Sequence, residues 1–358
     1  MTRERVVVAM SGGVDSAVAA ARCVAAGYDV LGVSLRLARD GSGSCCSLDD
    51  FHDAARVADG LGIPHYVFDL RDDFERHVVR PFVDEYLAGR TPNPCARCNQ
   101  HVKFDLLWRR ARELGAARLA TGHYARIGRD AATGGAQLLA ARDAAKDQSY
   151  FLFALRAPEL ERLLFPVGEL SKSAVRAEAA ALGLPVADKP DSMEVCFVPA
   201  GDAATFVERH AAPGALRPGI VVDEAGAALG RHAGIHRFTV GQRRGLALGG
   251  GARRYVRSLD AGTGTVTVTD AAGLTAAGLV ARDVSWIAGT APAAGAVFGV
   301  RIRHRHLILP ARLASVTGGE VELAFADGRG PAATPGQAAV FYRDDVVLGG
   351  GWIAQELA

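Results

Sequence analysis

Along the first 125 residues, apolar and polar positions fall into blocks that predict repeated strand–helix units. Val6–Met10 is an unbroken apolar run, the mark of a strand buried on both faces. Ser11-Gly12-Gly13 ends it, and the residues from Val14 to Ala26 keep helical spacing until Gly27 stops them. Asp29–Leu35 and His65–Leu70 read as two further strands. Between them Asp40–Ser47 is a Gly/Ser loop carrying Cys45 and Cys46, and Ser47 is placed to cap a helix running to Asp59. Helical patterns at Asp73–Ala88 and Phe104–Leu114 precede a short strand at Arg118–Thr121. Repeated βαβ units predict an α/β fold with a doubly wound parallel sheet, which binds ligands at the carboxyl ends of its strands.

The pattern then changes twice. Glu159–Leu164 and Lys172–Leu182 are helical, ending near Gly183. After Pro199 the chain becomes short strand-like runs punctuated by Pro213, Gly214, Pro218 and Gly219. Gly262–Thr269 reads as a turn feeding an alternating strand; no helix follows it, so hairpin chemistry fits its glycines better than a phosphate loop. Residues 297–310, 319–326 and 338–354 also alternate. The expected organisation is a catalytic domain over 1–200, a small central domain over 205–270 and a C-terminal β-barrel over 275–358.

Bulk properties narrow the class. A chain of 358 residues exceeds one ordinary domain, and 49% hydrophobic with 22% charged residues is the balance of a folded soluble protein. No apolar stretch has spanning length and the first residues run straight into a strand, so no membrane association, no targeting peptide and a cytoplasmic location are expected. The six cysteines lie within the first 200 residues of a large chain, which argues against a secreted disulfide framework. Net charge is only +2, but between Arg231 and Arg305 eleven arginines face three aspartates. Such a run is commonly a solvated face; beside a nucleotide-using domain it points to a polyanionic partner. Of 41 basic residues only Lys103, Lys146, Lys172 and Lys189 are lysine, which suggests positions needing a compact ammonium.

The strand–glycine–helix junction at Ser11–Ser16 is an anion site in outline: free amides and the positive helix end converge, and two glycines keep side chains out of the way. Asp15 is placed to hold a metal ion or polarise a neighbour. The P-loop pattern with its lysine is absent. Ser-Gly-Gly-Val-Asp-Ser instead resembles the pyrophosphate loop of N-type ATP pyrophosphatases, which cleave ATP between its α and β phosphates and attach AMP to a substrate carbonyl.

Cys95 and Cys98 stand three apart in a proline-rigid segment, Thr91–Asn99, and Cys196 follows about a hundred residues on. A structural zinc site needs four ligands, and only one C-x-x-C exists. An inert buried thiol suits Cys196 and packing suits Cys23. The remaining reading is a pair that attacks or carries sulfur. Adenylation beside reactive thiols suggests replacing a carbonyl oxygen by sulfur, and the basic second half suggests that the carbonyl belongs to RNA.

Seven stretches in order, Ser11–Ser16, Asn93–Asn99, Lys103-Phe104, Ala120–Tyr124, Lys146–Tyr150, Asp191–Phe197 and His236–Gly245, resemble the bacterial tRNA-specific 2-thiouridylase family over nearly the whole chain. The resemblance implies an adenine-nucleotide hydrolase-like first domain that uses ATP with Mg2+ to thiolate the wobble uridine of tRNA. It implies that Ala9, Met10, Ser11, Gly12, Gly13, Val14, Asp15 and Ser16 bind ATP, with Leu35 and Gly122 lining the adenosine. Asn93, Pro94 and Cys95 are expected to meet the target base, and His123, Lys146, Asp147, Gln148, Arg303, His304 and Gln337 to touch tRNA. Cys98 and Cys196 are the expected catalytic thiols, Cys196 being loaded as a persulfide by a sulfur donor or relay protein. Family members can carry aspartate where this chain has Cys95. With cysteine there, Cys95, Cys98 and Cys196 are an alternative ligand set for an iron–sulfur cluster. Two other functions remain open at this stage: adenylation of a small-molecule carbonyl, and a non-catalytic RNA-binding or sulfur-carrying role.

Overall fold

The computed structural model describes residues 3–38, 47–191, 195–198, 202–246, 248–249 and 253–357. Its first part is a five-stranded parallel sheet. The strands are β1 (Arg5–Ala9), β2 (Asp29–Arg36), β3 (His65–Asp69) and β4 (Arg118–Thr121), followed later in the chain by Leu163–Leu164. Their spatial order is β3, β2, β1, β4, then the Leu163 strand, all parallel. The chain winds one way from β1 through β2 to β3 and then returns to the other side of β1 as β4. That reversal opens a crevice at the carboxyl end of β1. Val6, Val7 and Val8 are fully buried because helices cover both faces of the sheet.

Helix α1 (Val14–Ala25) follows β1 directly, and α2 (Leu48–Leu61) starts on a capping box in which Ser47 Oγ accepts from the Asp50 amide while Asp50 accepts from the Ser47 amide. Residues 71–87 form one helical rod. The Thr91–Asn99 segment, read from its prolines as a loop, becomes helical at Pro94: Asn93 Oδ1 accepts from the Ala96 amide at 3.2 Å, and a proline at the first helical position costs no hydrogen bond. The helix continues to Glu113 through a wide π-type stretch at Cys98–Leu106. Glu159–Leu164 also differs from expectation. Only Ala157–Leu160 is helical, because Leu163 and Leu164 extend to pair with β4.

A small sheet follows at 219–269, with strands Gly219–Val222, Ala228–His232, Tyr255–Asp260 and Thr265–Thr269 around Val221, Val256, Val266 and Val268. The last part is a barrel. Strands Gly278–Trp286, Glu320–Phe325, Leu309–Thr317, Val297–Arg301, Ala338–Arg343 and Val346–Leu357 pair in that order, and the first and last close the ring. A hairpin of Ala125–Arg129 and Ala136–Ala140, which hydrophobic patterning did not reveal, adds to the final barrel strand through Leu138 opposite Val347. One apolar cluster therefore runs from Val7 and Leu119 of the parallel sheet through Leu138, Tyr150 and Phe153 to Val340 and Trp352 of the barrel. No described helix is long and apolar enough to cross a membrane.

Candidate active site

The loop after β1 is shaped by its small residues. Gly12 sits at φ +74°, and a Cβ there would lie 2.3 Å from the Asp50 carbonyl oxygen. Only glycine accepts both the left-handed backbone and that approach. Ser16 Oγ accepts from the Ser11 amide at 3.1 Å and donates to the Gly13 carbonyl at 2.9 Å, which holds the loop closed on itself. Gly13 caps α1 without a side-chain hydrogen bond, so the first-turn amides face outward for an anion. Gly122, just past β4, packs against the same turn; a Cβ would meet the Asp15 carbonyl carbon and the Ser16 nitrogen at 2.7 Å. Ala9 ends β1, Met10 is buried, Val14 starts α1, and Leu35 lies half-buried near the carboxyl end of β2. The residues expected around ATP are thus collected at the carboxyl ends of three neighbouring strands.

Three of the four lysines converge here. Lys172 Nζ donates to both carboxylate oxygens of Asp15 at 2.7 and 2.8 Å and lies 2.7 Å from Asp191. Lys146 reaches Asp191 at 2.7 Å, Arg176 reaches it at 3.0 Å, and Tyr124 donates its hydroxyl to Asp15 at 2.8 Å. Burial would raise the Asp191 carboxyl, but the Lys146 and Lys172 ammoniums outweigh it and hold that group down to about 2. Burial, reinforced by Asp15, pushes the Tyr124 phenol far up, so it stays a donor. Lys189 bonds Asp50 and Asp53, each at 2.7 Å, and so fastens the start of α2 beside Gly12.

Sequence reasoning looked for a lysine within the loop and found none. Lys172 comes from a helix 157 residues from Asp15, and the paucity of lysines was the one signal that could have found it. Its ammonium supplies the fixed cation that the loop lacks. Lys172→Met is expected to lower kcat/KM for ATP-dependent pyrophosphate release at least about tenfold, roughly 1.4 kcal/mol of transition-state stabilisation. Steady-state pyrophosphate assays against ATP check this; an unchanged kcat/KM would leave the lysine a purely structural ion pair.

Two of the thiols belong to one apolar cluster. Cys98 is 7% exposed in an apolar cluster with Val102, Phe82 and Phe197, and Cys196 is half-buried against the same cluster. Cys95, one helical turn before Cys98, is exposed. The wide helical turns that begin at Cys98 are a backbone form frequent at functional sites. Burial pushes the Cys23 thiol on α1 up to about 12, in keeping with a packing role. Cys45 and Cys46 lie outside the described residues. Among the described residues no three His, Cys, Asp or Glu side chains are grouped so as to hold a metal ion.

Most residues expected on tRNA also have partners within the protein. His123 accepts or donates at 2.7 Å to Thr121 Oγ1 beside Phe104 and Phe165; burial, then Lys103, lowers its pKa well below the ordinary value and keeps it neutral. His304 is half-buried with its ring 4.5 Å from that of Phe151. Asp147 is buried and bonds Arg301 at 3.0 Å and Ser149 at 3.0 Å, while Gln148 Oε1 accepts from the Tyr124 amide at 2.9 Å. These two, with Arg303 and Gln337, make contacts inside the protein. The arginine-rich stretch divides into paired and exposed side chains. Arg237, Arg257, Arg282 and Arg301 are tied to Glu208, Glu356, Glu85 and Asp147, whereas Arg231, Arg243, Arg244 and Arg253 are exposed.

Family models match three consecutive segments: a tRNA methyl transferase HUP domain over residues 4–200, its PRC-barrel domain over 204–270 and an aminomethyltransferase β-barrel domain over 276–353. A tRNA-specific 2-thiouridylase from Solibacter usitatus is 48% identical over 375 residues, spanning 99% of this chain and 100% of its own. The chain belongs to the tRNA-specific 2-thiouridylase family. Another 2-thiouridylase, from Sorangium cellulosum, is 50% identical over 360 residues, with 99% of this chain and 93% of that one covered. Among solved structures, a U34-tRNA thiolase from Methanococcus maripaludis is 18% identical over 58% of this chain and 63% of its own, with a TM-score of 0.35. Membership of the 2-thiouridylase family carries use of ATP with it.

Proposed function

We propose that this chain is an ATP-dependent tRNA sulfurtransferase that replaces O2 of a wobble uridine by sulfur. The observation that carries the reading is an ATP-type anion loop at the start of α1 together with two thiols in one apolar cluster, in a chain 48% identical to curated 2-thiouridylases over nearly its whole length. The family-model descriptions speak of methyl transfer and the relatives' names of thiolation. Cys98 and Cys196 sharing one apolar pocket favours sulfur.

ATP binds with its phosphates on Ser11–Ser16 and its adenosine between Leu35 and Gly122. Uridine O2 attacks the α-phosphorus, pyrophosphate leaves, and the uridine now carries AMP as a leaving group. The α1 amides and Lys172 stabilise charge developing on the phosphates by position alone. Mg2+ would be held by the ATP phosphates and by Asp15, whose carboxylate already accepts from Lys172 and Tyr124, and would neutralise phosphate charge there. The base must leave its stack to reach the pocket, and Asn93, Pro94 and Cys95 line the approach.

Cys196 receives a terminal sulfur from a persulfide donor protein. The Cys98 thiolate attacks the inner sulfur of that persulfide, forming a Cys98–Cys196 disulfide and releasing hydrosulfide at C2. The hydrosulfide adds to C2, AMP departs with the O2 oxygen, and a thiol reductant then restores both cysteines. The exposed arginines 231, 243, 244 and 253 receive the tRNA backbone, whose binding weakens with salt as their counterions return. The enzyme works in the cytoplasm, where its tRNA substrate is.

Radiolabelled sulfur transfer into unmodified tRNA, with ATP and a persulfide donor, tests the reading. ATP-dependent label in tRNA is the expected result. Absence of label, together with metabolite-driven ATP–pyrophosphate exchange, would make the chain a small-molecule adenylating enzyme.

A further inference from the structure

Residues 91–93 lead straight into the helix that bears Cys95 and Cys98, and they have little means of holding themselves in place. Pro92 and Pro94 have no amide hydrogen to bond locally. The missing bonds come from distant parts of the chain. The Thr91 amide donates to the Pro335 carbonyl at 2.8 Å. Gln337, 246 residues from Thr91, donates from Nε2 to the Thr91 carbonyl at 2.9 Å and to the Pro92 carbonyl at 3.2 Å. Thr91 Oγ1 also donates to Thr239 Oγ1 at 3.3 Å, in the segment joining strands Ala228–His232 and Tyr255–Asp260 of the small sheet.

The fit on the barrel side leaves no slack. Gly336 is buried at φ +88°, and a Cβ there would lie 2.9 Å from the Thr91 carbonyl oxygen. Arg303 bridges the two C-terminal parts, donating to the Val240 carbonyl at 3.3 Å and to Thr334 Oγ1 at 2.6 Å. Further along the thiol helix, the Arg97 guanidinium lies 4.9 Å over the Trp352 ring of the barrel. A primary amide has two hydrogens, and both on Gln337 are engaged by carbonyls of the thiol-bearing segment.

We propose that Gln337 is a positioning residue: with Gly336 and Arg303 it forms a clamp through which the barrel and the 219–269 sheet set the start of the Cys95–Cys98 helix. This reading rests on the proposed function, since that helix is the one assigned to meet the base and to cleave the persulfide. It reassigns Gln337 from RNA contact to internal support. RNA bound on the barrel and the small sheet is thereby connected mechanically to the thiols.

The test uses the full chain with Gln337→Glu, which keeps size but turns a donor into an acceptor facing two carbonyls, and Gln337→Asn, which keeps the amide one methylene short. Amide hydrogen exchange at residues 93–98 in the tRNA-free protein is expected to quicken at least tenfold in Gln337→Glu, and less in Gln337→Asn. Thiolation kcat falls at least tenfold while tRNA Kd moves less than twofold. Unchanged exchange, with tRNA Kd weakened tenfold and kcat retained, would overturn the clamp and restore Gln337 as an RNA contact. If Gln337→Glu does not fold, Gln337→Asn decides by the same two readouts. Should the wild-type protein fail to thiolate tRNA at all, the functional reading falls, while hydrogen exchange still judges the clamp.

Discussion

Serine in place of either Cys98 or Cys196 abolishes sulfur transfer, by a factor on the order of a thousand or more, while pyrophosphate release from ATP and adenylation of the uridine continue. A serine hydroxyl can neither carry the transferred sulfur nor attack a persulfide, and a thousandfold loss corresponds to about 4 kcal/mol of lost transition-state stabilisation. Adenylation is spared because Lys172 holds Asp15 of the phosphate loop, whereas the thiols pack in the apolar cluster of Phe82, Val102 and Phe197. Parallel assays of labelled sulfur in tRNA and of pyrophosphate release check both halves. Cys95→Ser is the informative control. Its side chain is exposed outside the apolar pocket that holds Cys98 and Cys196, so transfer should persist within a few-fold. Loss of transfer in Cys95→Ser, accompanied by iron in anaerobically purified wild type, would replace the persulfide route by a three-cysteine cluster.

The second large effect is expected from Gly12→Ala. The substitution forces a left-handed backbone on a residue with a Cβ and drives that Cβ into the Asp50 carbonyl, 2.3 Å away. Backbone strain alone costs about 1–3 kcal/mol, and relief of the overlap requires α2 to retreat from the loop. Asp50 cannot yield freely, because its side chain is held by both Ser47 and Lys189. ATP binding is therefore lost together with activity, and thermal stability falls. Isothermal titration with ATP and a melting curve separate the two consequences. Gly13→Ala serves as comparison, since the nearest atom to its Cβ is Ser11 Oγ at 3.5 Å. Equal ATP affinity in wild type and Gly12→Ala would refute the assignment of this turn to phosphate.

Much of the architecture was legible from local pattern. The buried strands of the parallel sheet announced themselves as apolar runs, the Ser47 cap as a helix start, and the Gly262–Gly264 turn as hairpin chemistry feeding Thr265–Thr269. Where local reading failed, long-range pairing or capping had overridden it. Leu163 and Leu164 were drawn into extension by β4, and the chain from Pro94 through Cys95 became a helix because Asn93 caps it. The 125–140 hairpin went unseen because the strand it pairs with, Val346–Leu357, lies some two hundred residues on.

At the site, the sequence by itself determined which chemical groups exist and which are adjacent: the glycine turn before a helix, the C-x-x-C spacing, the scarcity of lysine. Those are properties of covalent neighbours and of short-range backbone geometry, so no tertiary information was required. Only the tertiary structure decided which groups act together. It brought Lys172 to Asp15, placed Cys196 against the pocket of Cys98, spent Arg301 on Asp147 and turned Gln337 inward to Thr91 and Pro92. Charge pairing and donor–acceptor matching depend on distances of about 3 Å in space, and sequence separations of a hundred residues or more carry no trace of them.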